Sequence, residues 1–176
     1  MKLIKKYYPK TSEDLFISKE NLLRLKRMVL ERKPVIITGP TGTGKTTIAY
    51  LLAKEMNYNL FEINSSDTRN KNALETILIP SMKEASLTAK GRLILIDDID
   101  ALSGTKDRGA IQTVISLLDE TKWPIIITTS DAYQDKLSQL RRRCGLIEFD
   151  KVKDTEIFSL LKKICEKENI IYGITV

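Results

Sequence analysis

The chain has 176 residues, 42% hydrophobic and 30% charged, and contains no histidine. That length suits one domain able to fold without disulfides or a structural metal, and the missing imidazole excludes His-based nucleophile activation and His metal sites. The net charge of +6 lies at one end, because residues 1–33 carry ten Lys/Arg against four Asp/Glu while residues 34–176 carry nineteen of each.

In chain order, the basic N-terminal stretch leads into a helix predicted over 18–32, with Leu22, Leu25 and Val29 on one face and Arg24, Lys26 and Arg27 elsewhere. Pro34 closes it before a strand at 35–38. A helix follows at 45–56, a strand at 59–63, a helix at 71–85 and a strand at 92–97. The remaining elements are a helix at 107–119, strands at 124–129 and 145–149, and a helix at 153–169. Strands that are continuous Ile, Leu and Val runs, alternating with helices of amphipathic period, indicate an α/β fold: five parallel strands between helices. No apolar run approaches the ~20 residues of a membrane span, and the N-terminus lacks a signal-peptide core. A soluble, cytoplasmic protein without membrane contact is expected. Cys144 and Cys165 have no metal-ligand neighbours and read as reduced structural thiols.

The segment Gly39-Pro40-Thr41-Gly42-Thr43-Gly44-Lys45-Thr46 fits G-x-x-x-x-G-K-[ST] at every fixed position and lies between a predicted strand and a predicted helix. Glycines let such a backbone curl around phosphate oxygens with its N–H groups inward, and the helix N-terminus favours negative charge. Lys45 would reach the β- and γ-phosphates, Thr46 would offer its hydroxyl to Mg²⁺, and Thr47 continues the first helical turn. ATP and Mg²⁺ are therefore the expected ligands.

Leu93-Ile94-Leu95-Ile96-Asp97-Asp98 ends a buried strand with two carboxylates. Asp97 has the position of a Mg²⁺-holding acid and Asp98 that of a residue polarising the attacking water. Adjacent strand residues face opposite ways, so both reach one site only where the strand is ending. After the next strand, one polar side chain of Thr128-Thr129-Ser130-Asp131 could touch the γ-phosphate or its water. Among Arg141-Arg142-Arg143, one arginine could act in a neighbouring subunit's site, leaving the others as solvated charge.

These residues, with Lys6-Tyr7-Tyr8-Pro9-Lys10, Glu62-Ile63-Asn64-Ser65-Ser66-Asp67-Thr68-Arg69-Asn70, Leu102-Ser103-Gly104, Asp107-Arg108-Gly109, Leu140-Arg141, Cys144 and Ile147-Glu148-Phe149, resemble the clamp-loader group of AAA+ ATPases. The likeness is to the archaeal replication factor C large-subunit family. It implies one subunit of a five-membered, ATP-driven machine that opens a ring-shaped sliding clamp and places it on primer-template DNA. Implied partners are replication factor C small subunits, a sliding clamp of the proliferating-cell-nuclear-antigen type, and DNA. The resemblance also places Tyr7, Pro9 and Ile17 at the adenine and makes Ser130 the polar sensor and Arg143 the finger toward a neighbour. Arg69, Lys71, Lys83, Lys106 and Arg108 become candidates for DNA phosphates.

The chain departs from the family pattern with Asp98 where Glu is usual, Ser130 for Asn, Tyr8 for Arg and Arg142 for Ser. Residues 1–150 form the expected nucleotide-binding core with its N-terminal box, and 151–176 the start of a helical lid, the rest of which is missing. A second polypeptide carrying the C-terminal half, a fragment, or a core working without a lid would each account for that length. Alternative functions are a nucleotide-stabilised scaffold that hydrolyses little, a related origin initiator, and, against the pattern of strands, a small P-loop kinase.

Overall fold

The computed structural model of the protein describes residues 2–65, 90–101, 108–171 and 173. Strands β1 (Val35–Thr38), β2 (Tyr58–Asn64), β3 (Gly91–Asp97), β4 (Ile125–Thr129) and β5 (Gly145–Glu148) form one sheet. Every pairing is parallel and the order is β2-β3-β4-β1-β5. The helices are α1 (Leu3–Lys6), α2 (Lys19–Leu30), α3 (Lys45–Glu55), α4 (Arg108–Glu120), α5 (Ser138–Arg143) and α6 (Asp154–Glu168).

The apolar runs are strands because both of their faces are buried. Ile36, Ile94, Ile96, Ile125 and Ile127 point to one side, where they pack with Ile111, Val114 and Ile115 of α4 and Leu140 of α5. Val35, Ile37, Leu93, Leu95, Ile126 and Ile147 point to the other, against Leu22, Leu25 and Val29 of α2 and Ile48, Ala49 and Leu52 of α3. Period-two alternation thus feeds two cores from one set of strands, and each fully buried Ile or Leu contributes roughly 1.5–3 kcal/mol.

The observed strands agree with the sequence expectation to within one residue at either end, and the helices 18–32, 45–56, 107–119 and 153–169 to within two. The helix expected at 71–85 lies outside the described residues. Ser18 caps α2 by accepting the Asn21 N–H at 3.1 Å. Two short helices were not anticipated. The four residues of α1 bury nothing and so carry no apolar period, and the six of α5 bury only Leu140. On α6 no residue is fully buried, and Ile157, Phe158, Leu160 and Leu161 are exposed. Among the described residues no helix is long and apolar enough to cross a membrane.

Candidate functional site

At the C-terminal end of β1 the chain enters the glycine-rich loop, and three of its glycines adopt backbone torsions that other residues avoid: Gly39 (φ 148°), Gly42 (φ 84°) and Gly44 (φ 93°). A Cβ on Gly39 would stand 2.2 Å from the Phe149 carbonyl oxygen, so only hydrogen fits there. Gly44 precedes α3, with the Leu15 side chain packed beside it. Thr43 is buried and closes the loop by donating its hydroxyl to the Pro40 carbonyl at 2.9 Å. The Lys45 ammonium is also buried and donates to the carbonyls of Gly39 and Pro40 at 2.8 and 3.0 Å. Both bonds tie the ammonium to the first two residues of the loop. Thr41 and Gly42 are exposed at the tip, and Thr47 is half-buried on the first turn of α3.

Opposite the loop, residues 93, 95 and 97 of β3 and 126 and 128 of β4 share the sheet face that carries α3. That shared face brings Asp97, Thr128 and Thr46 together. The Asp97 Oδ1 atom accepts the Thr46 hydroxyl at 2.9 Å and the Thr128 hydroxyl at 2.6 Å, and Asp97 is 7% exposed. A hydroxyl and a carboxylate oxygen in contact are hard donors of the type Mg²⁺ takes, usually with phosphate oxygens and water filling its octahedron. The residues present therefore fit the ion.

Asp98, the residue after β3, lies in the left-handed region, φ 50°, which few residues besides glycine, asparagine and aspartate adopt. Its N–H donates to Thr128 Oγ1 at 2.9 Å and its side chain is exposed. The left-handed torsion breaks the strand's alternation at Asp98, so its side chain is not bound to the face opposite Asp97. Ser130 follows β4 beside the end of β1: the Thr38 hydroxyl reaches its carbonyl at 3.5 Å and receives the Ala132 N–H at 3.1 Å. The Ser130 N–H donates to Asp100, which also accepts the Thr129 hydroxyl at 2.5 Å and the Gln134 amide at 3.0 Å. Asp100, expected from the sequence only as a third exposed acid, is partly buried under these bonds, and of the polar run 128–131 it is Thr128 that touches Asp97. For Thr128 the signal was present, since counting by twos from buried Ile126 places it on the α3 face.

Arg143 is not part of this cluster. Gly145, two residues later, pairs with Val35 at the start of β1, whereas the glycine-rich loop follows the end of β1. Arg143 therefore sits at the opposite end of the strands, where its guanidinium holds both carboxylate oxygens of Asp119 at 2.6 Å. In the N-terminal box, Ile17 packs on the core between α2 and α3, and Pro9 is partly buried. Tyr7 instead donates its hydroxyl to Glu168 of α6 at 2.6 Å, beside the Lys6–Glu168 ion pair. Of the basic residues considered for DNA, Arg69, Lys71, Lys83 and Lys106 lie outside the described residues; Arg108 begins α4, and its side chain is likewise outside them.

The family model described as "ATPase family associated with various cellular activities (AAA)" matches residues 35–151. Curated relatives include the replication factor C large subunits of Thermofilum pendens, 37% identical over 79% of this chain and 34% of that protein, and of Nanoarchaeum equitans, 34% identical over 94% and 40%. That of Sulfurisphaera tokodaii is 38% identical over 94% of this chain and 39% of its own length. The chain thus spans between a third and two-fifths of the relatives it resembles. Among solved structures, a Thermotoga maritima RuvB superposes with a TM-score of 0.66 at 23% identity, over 92% of this chain and 54% of that one. At that identity the likeness is one of fold.

Proposed function

This chain belongs to the AAA family of ATPases, and from that premise we propose that it binds ATP with Mg²⁺ on the loop Gly39–Thr46 and hydrolyses it as the ATPase core of a sliding-clamp loader's large subunit. The observation that carries the reading is the 2.9 Å contact between Thr46 Oγ1 and Asp97 Oδ1, which joins the first turn of α3 to the end of β3. A structural turn has no need of that pairing. A phosphate loop working with a metal does.

In this reading the loop N–H groups and the α3 N-terminus cradle the phosphates. Lys45 exchanges its two carbonyl partners for β- and γ-phosphate oxygens, and Thr46 and Asp97 hold Mg²⁺. The bound ion would neutralise charge developing on the phosphate oxygens during transfer. Asp98 orients a water whose oxygen attacks the γ-phosphorus as the bond to the β–γ bridging oxygen breaks, with ADP and phosphate as products. Ser130 stands beside the end of β1, where a polar side chain can sense the γ-phosphate. Arg143, at the far end of the strands from the loop, acts in a neighbouring subunit rather than in its own, and Tyr7, Pro9 and Ile17 belong to the adenine side.

The partners follow from the similarity to replication factor C large subunits: small subunits of the same machine, a ring-shaped clamp of the proliferating-cell-nuclear-antigen type, and primer-template DNA. The ten Lys/Arg of residues 1–33 supply positive charge suited to an acidic subunit edge or to phosphate.

Single-turnover hydrolysis, with small subunits, clamp and primed DNA present, tests the reading. Asp98→Asn should lower the rate by roughly 10²-fold or more while ATP affinity stays within about two-fold. An unchanged rate would remove Asp98 from the chemistry, and a wild-type chain that binds ATP without hydrolysing it in the full assembly would make the subunit a scaffold.

A further inference from the structure

We propose that Thr128 is a positioning residue of the hydrolytic site, whose one hydroxyl orients both carboxylates at the end of β3. The inference rests on the ATP-hydrolysing reading above and extends it to a residue on β4. Thr128 is fully buried, and its hydroxyl makes two bonds of defined polarity. It donates to Asp97 Oδ1 at 2.6 Å and accepts the Asp98 N–H at 2.9 Å. A hydroxyl has a single proton, so donation to Asp97 directs a lone pair toward the Asp98 N–H. Consecutive acids that must serve one site are thereby tied to one atom.

The two bonds have different consequences. Asp98 holds φ 50°, a conformation that persists in a non-glycine residue only where its surroundings impose it. The bond to its N–H is such a restraint. Without it, residue 98 can relax toward extended backbone, and strand alternation then carries its carboxylate to the α4 face, away from Thr46. Asp97 is different because Oδ1 accepts from Thr46 as well as Thr128. If Thr46 turns its hydroxyl toward a metal, Thr128 still fixes the Asp97 rotamer. The neighbouring pair Ile96↔Ile127 sets the register that makes this possible.

Thr128→Val keeps the shape and removes the hydroxyl, whereas Thr128→Ser keeps the hydroxyl. In the nucleotide-free chain, the Asp98 amide should exchange with solvent at least about ten-fold faster in Thr128→Val and within about three-fold of wild type in Thr128→Ser. In single-turnover hydrolysis, Thr128→Val should be slower by roughly 10–100-fold with ATP affinity within about three-fold, and Thr128→Ser should largely restore the rate. Unchanged Asp98 protection and rate in Thr128→Val would overturn the inference, as would equal loss of rate in both variants, which would indicate packing. If Thr128→Val does not fold, Thr128→Ala carries the same comparison. If wild type itself does not hydrolyse ATP, the function reading fails separately. The inference is then decided by Asp98 exchange and by the Mg²⁺ concentration that half-maximally tightens ATP binding, expected to rise several-fold in Thr128→Val alone.

Discussion

Asp100 is the third acid after β3, and its carboxylate gathers the Ser130 N–H, the Thr129 hydroxyl and the Gln134 amide. Burial opposes its ionisation, but the bonds from Ser130 and Thr129 and the charge of Lys136 outweigh that, holding its pKa below the usual carboxylate range. A carboxyl depressed on folding contributes stability above its unfolded pKa and loses it as the pH falls through the lower folded value. Acidification below about pH 4 should therefore release the Ser130 loop, measurable as loss of Ser130 amide protection. At neutral pH, Asp100→Asn should cost about 1 kcal/mol in denaturant unfolding, a modest figure because the carboxylate is partly solvated. Cys144 titrates the other way. Burial pushes its thiol up to about 12, so iodoacetamide should modify it at least ten-fold more slowly, to order of magnitude, than an unstructured cysteine.

The loop between β1 and α3 depends on glycine for two separate reasons. Gly39 lacks room, with the Phe149 carbonyl in the way of any Cβ, whereas Gly42 has open space and only an unfavourable torsion. Gly39→Ala should destabilise the fold by roughly 2–4 kcal/mol and Gly42→Ala by about 1 kcal/mol, a ranking that thermal unfolding of the two variants checks. The motif made this loop readable in the sequence, and burial on both faces made β1, β3 and β4 readable as unbroken apolar runs. The helices α1 and α5 were not readable, because four and six residues are too few to display a helical period. That Asp97 and Asp98 stand at the end of a buried strand was legible from the apolar run before them. How they are held there was not, since a left-handed residue at Asp98 and a hydroxyl on β4 that receives its N–H are tertiary facts. Arg143 was legible as a cation in a basic run, while its distance from the phosphate loop follows only from the pairing of β5 with β1.

At the scale of the molecule, that distance keeps Arg143 away from the phosphate loop of its own chain. Arg143 and its partner Asp119 stand at the N-terminal ends of the strands and the phosphate loop at their C-terminal ends. Arg143→Ala should leave ATP binding by this chain within about two-fold of wild type while lowering hydrolysis in the assembly, at the site Arg143 serves, by roughly 10³-fold. Titrating ATP against the isolated chain and measuring turnover of the assembly separates the two. The strand order has a consequence of another kind, in time rather than space. Val35 of β1 pairs with Ile126 and with Gly145, about 90 and 110 residues further along the chain. A ribosome therefore delivers the phosphate loop long before either strand that will flank it. The loop-bearing strand must wait, unpaired, until the last two strands emerge, so closure of the sheet around it is a slow, non-local step. During that wait the loop lacks the strands that flank it, so in the proposed reading ATP gains its full hold only once β4 and β5 have paired with β1.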